Sequence, residues 1–557
     1  MNASLLWLVL VLLLFVAALS VAATRLRFTR PALMLMAGVA IAFFPAWPGL
    51  VLEPELVLTV LLPPLLYSAG VGMSWRSVRW NLRPILLLAV GCVLFTATAV
   101  AAVAHYAFAF PWAVGFVLGA IVSPPDAVAP SVIMRRLGVP RRIVTVLEGE
   151  SLVNDATALV LLAFAVAAVG SGGIAIGAAF VRFAEIVVGE LAWGIVVGWA
   201  LLRLRHLAAD PRAEVLLALA TPYLAFWPPH QLGGSGVIAC VACGLYVSWN
   251  GRELIRPATR LQGYFIWDLV NWTIEAVLFL LTGLQAHRVV EAIGEVGLWR
   301  ALVVGVAVTL TVIVVRFVWI FPATYLPRLV PTIRRRDPAP NWRWPFLIGY
   351  TGLRGVVSLA AALAIPLEVG NGPFPDRDVI LFATFVVIAA TLVGQGALLS
   401  WVVDQLGLAH AGADEVVQSR REERRVRVEG VDAVLGALAR ARDRGVADEV
   451  LASLRQELTD RRRHLLTSAD ETTSDDPIGD LGRLRLDLIA VEREATNRAY
   501  LANRLTDEAR RRIERELDLE EARVQHLVES AGAAPFAGTE HGGDPPAPVP
   551  AAGAGAS

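Results

Sequence analysis

The sequence predicts an all-α polytopic membrane protein of about thirteen transmembrane helices. It further predicts inverted repeats, two broken and crossing helices, and a helical cytoplasmic C-terminal domain. Three observations carry this. The chain of 557 residues is 56% hydrophobic and only 18% charged, with mean hydropathy +0.60. Its apolar residues fall in blocks near the ~20 residues that a bilayer-spanning helix needs. The loops between the blocks alternate between Arg-rich and Arg-poor.

The blocks are 4–23, 31–50, 54–70, 84–104, 111–133, 143–169, 174–202, 213–228, 234–249, 266–286, 299–326, 344–367 and 378–402. The first begins at Ser4 without a basic leader or a clear cleavage site, so it reads as a retained helix. The third, fifth, eighth and twelfth are interrupted by Pro, Gly or charge. Arg25, Arg27 and Arg30 precede a loop holding only Glu53. Arg76, Arg79 and Arg83 precede HYAFAF, and Arg135, Arg136, Arg141 and Arg142 precede GSGG. Arg203, Arg205 and Arg212 precede WPPHQLG. Arg252, Arg256 and Arg260 precede a mixed loop, and Arg334 to Arg336 precede the acidic Glu368, Asp376 and Asp378. One missed helix would invert every later loop. The positive-inside rule puts the Arg-rich loops in the cytoplasm, the N-terminus outside and the C-terminal tail inside.

Composition changes after Val403. Residues 1–405 read as the membrane domain and 406–530 as a charged helical domain, a hairpin or coiled coil with Leu and Val at helical spacing. ADETTSDDPIGD at 469–480 is its expected connector. The Ala/Gly/Pro-rich 531–557 reads as a disordered tail. All 49 basic residues are Arg and balance 49 acidic ones, so no nucleic-acid partner is expected. Cys240 and Cys243 have CxxC spacing but stand alone in an apolar block, which reads as two small residues on one helix face. No cofactor is expected.

Two blocks are broken where they carry charge. In GAIVSPPDAVAPSVI, Pro124, Pro125 and Pro130 remove backbone donors around Asp126. In YTGLRGVVSLAAALAIP, Gly352 and Gly355 flank Arg354. Non-helical backbone at membrane depth is tolerated only where protein or water covers it. The breaks lie seven blocks apart, an odd offset that places the two copies in opposite orientations, as in an inverted-repeat transporter.

Between them lies EGESLVNDATALV, 148–160. A charge at the bilayer centre costs roughly 2.5–3.5 kcal/mol, so these carboxylates need a reason. Ser151, Asn154 and Asp155 stand at i, i+3 and i+4 and share a helix face. Glu148 lies a turn earlier, close to that stripe, and Glu150 faces aside. Carboxylate, amide and hydroxyl oxygens suit a small hard cation such as Na⁺ better than a transition metal. A carboxylate that holds either a cation or a proton, but not both, is sufficient for exchange. The alternative is a buried polar network that only joins helices, a role that suits Glu150 better than Asp155. Arg354 is the expected partner of Glu150, and Arg316 is an intramembrane charge with no evident partner.

LLPPLLYSAG (61–70), SPPDAVA (123–129), EGESLVNDA (148–156), EAVLFLLTGL (275–284) and GLRGVVS (352–358) together cover the membrane part. In them the chain resembles sodium/proton exchangers of the monovalent cation:proton antiporter superfamily, in the branch shared by bacterial antiporters and animal exchangers. The resemblance implies that Asp155 is the essential cation- and proton-binding carboxylate and Ser151 a cation ligand. It implies that Asp126, in the unwound fifth helix, helps hold the site. Asn154 occupies the place it has in electroneutral members. Glu150 and Arg354 resemble a structural ion pair between the sixth and twelfth helices. Glu148, Glu275 and Pro125 are accessory candidates, and Glu275 either lines the pathway or packs the core. Ser68 stands where relatives often have an acid, and Pro125 where many have Thr. The resemblance also implies a homodimer in a bacterial inner membrane and a role in pH and sodium homeostasis.

Three functions therefore compete: electroneutral Na⁺/H⁺ exchange (with Li⁺ beside Na⁺), K⁺/H⁺ exchange, and a transporter-like sensor signalling through 406–530. A sensor need not keep Ser151, Asn154, Asp155 and Asp126 together, which argues against it.

Overall fold

Helices account for almost all the regular structure. The computed structural model describes residues 3–26, 29–44, 53–171, 176–208, 210–369, 372–409, 411–441, 448–467, 477–502 and 504–531. The expected connector at 469–480, most of it, and the tail beyond 531 lie outside these residues. So does the end of the second block.

In chain order the first unit contains α1 (Ala3–Leu26), α2 (Arg30–Ala42), α3 (Pro54–Gly72), α4 (Leu82–Phe108) and α5a (Trp112–Val122). Next come α5b (Val128–Arg136), α6 (Arg141–Ser171), α7 (Ile176–Leu207), α8 (Pro211–Gln231) and α9 (Val237–Leu254). Then follow α10 (Pro257–Leu284), α11 (Ala286–Tyr325, broken at Gly294), α12a (Arg343–Tyr350), α12b (Val356–Leu363) and α13 (Arg377–Gln405). A two-residue antiparallel ladder before α13 pairs Glu368 with Pro373 and Val369 with Gly372. Among the described residues, seven helical stretches are long and apolar enough to cross a bilayer: Pro54–Gly72, Leu82–Phe108, Arg141–Gly170, Val181–Leu207, Thr259–Gly294, Gly297–Leu329 and Arg377–Gln405. Val11–Ala22, Arg30–Ala42, Trp112–Val122 and Val237–Gly251 are apolar but shorter.

The fifth and twelfth blocks are broken as expected, at 123–127 and 351–355. The third and eighth are not, and the prolines explain how. Pro63 and Pro64 cannot donate to the carbonyls of Thr59 and Val60, four residues back. Trp227 Nε1 donates to Thr59 O at 3.3 Å and Tyr223 OH to Val60 O at 3.1 Å. A π-helical stretch at Val57–Leu61 takes up the ring clash. Both donors come from α8, which keeps its own Pro222, Pro228 and Pro229 within one helix. The interruption of α3 is thus carried by α8.

Two helix pairs approach at glycine. A Cβ on Gly38 of α2 would strike Leu280 O and Gly283 of α10, and one on Gly283 would strike Leu35 O and Gly38. A Cβ on Gly70 of α3 would lie 3.0 Å from Val241 O of α9, and one on Gly244 would lie 2.5 Å from Tyr67 O. Small residues let membrane helices approach backbone to backbone. Around α5a the largest buried cluster joins Val117, Leu118 and Ile121 to Leu162 of α6, Val308 of α11 and Val387 of α13. Cys240 and Cys243 are free and buried in α9.

The first compact unit ends at Val416 and the second spans 417–557. Gly412 N donates to Gly138 O at 2.9 Å, which ties the chain after α13 to the first unit. α14 (Ala413–Ala441) starts just before the boundary at Val416 and runs past it; in the second unit α15 is Asp448–Thr467, α16 Pro477–Leu501 and α17 Asp507–Ala531. α16 and α17 form a hairpin around Ile489, Leu517 and Val524. Arg493 bridges it to Asp518 at 2.7 Å and Glu521 at 2.8 Å.

Candidate cation site

The two breaks meet. Asp126 N donates to Leu353 O at 2.7 Å, joining the unwound backbone of one broken helix to that of the other. Gly355 is required at this crossing, because a Cβ there would lie 2.6 Å from Asp126 Oδ2. Each break leaves one helix C-terminus with free carbonyls and one N-terminus with free amides. Charges of the fitting sign sit at these ends. Asp126 Oδ1 accepts from Val128 N at 2.8 Å, at the start of α5b. Arg354 Nε donates to Val122 O at 2.5 Å, at the end of α5a, and its Nη1 to Gly352 O at 2.6 Å. Arg354 N donates to Thr391 Oγ1 of α13 at 3.0 Å. A carboxylate at a helix N-terminus and a cation at a C-terminus both complement the helix dipole.

The expected pairing of Glu150 with Arg354 is corrected by this geometry. Glu150 pairs with Arg316 of α11 through two parallel bonds, Nη1 to Oε1 at 2.6 Å and Nη2 to Oε2 at 2.8 Å. Both side chains are buried, 1% and 2% exposed. Arg316 Nε donates to Ile348 O at 3.2 Å, near the end of α12a. Arg354 is committed to the carbonyl groups that its own break and the α5a end leave open. Arg316 was the residue without an evident partner. The sequence signalled only that a membrane-buried Arg needs a carboxylate or backbone carbonyls, and did not say which of the two arginines takes Glu150.

α6 is held against the first break by Asn154. Its Nδ2 donates to Pro125 O at 2.6 Å, so Pro125 enters through its carbonyl. Asn154 Oδ1 is buried without a hydrogen-bond partner. Ser151 and Asp155 are half-buried beside it on the same helix. Asp155 and Asp126 are close enough to repel each other when both are charged. The structure thus brings together Asp126, Asn154, Asp155 and the Pro125 carbonyl. An orphaned amide oxygen beside two carboxylates fits a small hard cation as cargo. Among the described residues, no group of three or more His, Cys, Asp or Glu side chains is gathered for a metal ion.

The accessory candidates separate. Glu148 is bound by Arg135 at 2.6 Å and does not join the cluster. Glu275 of α10 is half-buried, within electrostatic reach of Asp126, Arg30 and Asp268. Ser68 donates to Asn271 Oδ1 at 2.9 Å, a neutral contact where an acid would add charge.

The chain is similar to known proteins in sequence and in fold. A family model described as "Sodium/hydrogen exchanger, transmembrane" matches residues 10–405. An uncharacterised Na⁺/H⁺ exchanger of Mycobacterium tuberculosis is 35% identical over 509 residues, covering 90% of this chain and 92% of that protein. A sodium, potassium, lithium and rubidium/H⁺ antiporter of Bacillus subtilis is 32% identical over 376 residues, 65% of this chain and 56% of that one. The sodium proton antiporter MjNhaP1 of Methanocaldococcus jannaschii has a similar fold, with TM-score 0.58 and 17% identity, covering 71% of this chain and 97% of its own.

Proposed function

Since this chain belongs to the sodium/hydrogen exchanger family, we propose that it exchanges Na⁺, and Li⁺ beside it, for H⁺ one for one. Alternating access carries the exchange, in the service of pH and sodium homeostasis. The observation that carries this reading is the crossing. Asp126 N on Leu353 O and Asn154 Nδ2 on Pro125 O bind the helix of Asp155 to both breaks. A cation entering between Asp155 and Asp126 meets carboxylate oxygen from both. It also meets Asn154 Oδ1, which no protein donor occupies. A proton on Asp155 removes the charge that holds the cation, and a cation excludes the proton. Asn at 154 leaves one titrating carboxylate on this helix face, which favours electroneutral turnover.

The pairing of α2 with α10 and of α3 with α9 supports the inverted repeat. An offset of seven helices turns the first pair into the second, and each pair meets at glycines. The Arg alternation supports thirteen spans with the N-terminus outside and α14 onward in the cytoplasm. A reporter fused after Val416 and active only outside the cell would overturn that orientation. Assembly as a homodimer is taken over from the family.

K⁺/H⁺ exchange is the second reading. The broad cation range in the name of the Bacillus subtilis relative favours it, and oxygen ligands serve both ions. Proteoliposomes with an acidic interior and Na⁺, Li⁺ or K⁺ added outside separate the two. Collapse of the pH gradient by Na⁺ and Li⁺ alone supports the first reading. Collapse by K⁺ alone replaces it with the second, and collapse by none of them sinks both.

A further inference from the structure

Away from the crossing, α4, α6 and the end of α11 converge on one carboxylate in the α11–α12a connection. Asp337 accepts from Arg83 at 2.5 Å, Arg142 at 2.8 Å and Arg328 at 2.7 Å. Three guanidiniums face one carboxylate, so positive charge is in excess. Arg328 is committed: its nitrogens donate to Asp337 Oδ2, Asp337 O and Thr324 O, and its side chain is 8% exposed. Arg83 and Arg142 are not. Their side chains are 29% and 37% exposed. Among the described residues, Arg83 donates only to Asp337, and Arg142 only to Asp337 and Asn81 Oδ1.

These arginines line an open cavity of about 60 Å³ between α4, α6, α11 and α12a. The rest of its wall is chiefly apolar, including Leu87, Leu88, Val146, Ile320, Trp344 and Ile348. Trp80 and Trp342, on the segments leading to it, are 74% and 54% exposed. Exposed Trp is the side chain expected at headgroup depth.

A free anion would use the arginines and leave the apolar wall idle. A hydrocarbon would use the wall and leave the excess charge unanswered. We propose that this cavity binds an anionic phospholipid, with its phosphodiester on Arg83 and Arg142 and an acyl chain along the wall. Basic pockets between membrane helices recognise such headgroups by this combination. The site is separate from the cation cluster. It is linked to the buried Glu150–Arg316 pair, because Ile348 in the wall also offers its carbonyl to Arg316. The bound lipid would wedge α12a against α11.

The test is thermal unfolding of the delipidated full chain in detergent. The additions are phosphatidylglycerol, phosphatidylcholine with the same acyl chains, or inorganic phosphate. The expected result is a midpoint rise of roughly 2–5 °C with phosphatidylglycerol alone. That rise should be lost in Arg142→Gln. It should also be lost in Ala323→Phe, which fills the cavity without removing a guanidinium. Should Arg142→Gln fail to fold, Ala323→Phe and the headgroup comparison decide. No rise with phosphatidylglycerol would overturn the proposal. So would an equal rise with phosphatidylcholine or with inorganic phosphate, or an undiminished rise in either variant.

Discussion

Replacing Arg316 by Ala would strand Glu150, which is 1% exposed and bound through both oxygens. Breaking such a buried pair costs about 3–5 kcal/mol, so Arg316→Ala should lower the thermal midpoint sharply. Removing both partners should cost less than the two single losses combined. Equal stability of Arg316→Ala and wild type would show that the pair carries no stability. The stripe of Ser151, Asn154 and Asp155 was legible, because helical spacing alone puts them on one face. The partner of Glu150 was not. Periodicity reports which way a residue points on its own helix, and two buried arginines were available. Choosing between them needed the reach of Arg316 from α11 to Glu150 on α6, and also the carbonyls that Arg354 must satisfy. Asn154 illustrates the same limit. Its place beside Asp155 was legible, but its bond to Pro125 O spans two helices.

At the scale of elements, the crossing depends on a residue with no side chain. A methyl group at Gly355 would press on Asp126 Oδ2. Gly355→Ala should therefore displace Asp126 and reduce exchange at least tenfold while the protein still inserts; each tenfold corresponds to about 1.4 kcal/mol. Undiminished exchange would mean that Asp126 can move without consequence. Asp337 offers a test outside the membrane. Partial burial pulls its carboxyl up, but the hydrogen bonds and charges of Arg142 and Arg328 outweigh that and hold it below the usual range. A carboxyl lowered in the folded state stabilises above its unfolded pKa, and the effect is lost as pH falls through the folded value. Asp337→Asn should thus melt below wild type at pH 7, and the gap should close as pH falls below about 4. A gap unchanged into acid would assign the effect to packing. Both real breaks were legible because Pro or Gly coincided with charge. Pro63 and Pro64 coincide with no charge, and the helix continues through them. Their freed carbonyls are met by Tyr223 and Trp227, far away in sequence.

Across the whole molecule, every residue assigned to the cation cluster or its supports lies between Val122 and Thr391, inside the unit that ends at Val416. A protein ending at Val416 should therefore insert and exchange, whatever its pH of activation. A correctly inserted truncation without exchange under any condition would move the functional boundary into the second unit. The membrane class was legible at this scale because apolar blocks and Arg-rich loops are properties of composition and order. The close pairing of α2 with α10 and of α3 with α9 was not, since Gly38 or Gly70 alone does not name its partner. The central claim is that one carboxylate, Asp155, serves cation and proton in turn. The most direct measurement is the apparent KM for Na⁺ in proteoliposomes as a function of pH, with Asp155→Asn beside wild type. The account predicts that KM rises as pH falls while the maximal rate at saturating Na⁺ is kept, and that Asp155→Asn folds but does not exchange. A KM independent of pH, or substantial exchange by well-folded Asp155→Asn, would contradict it.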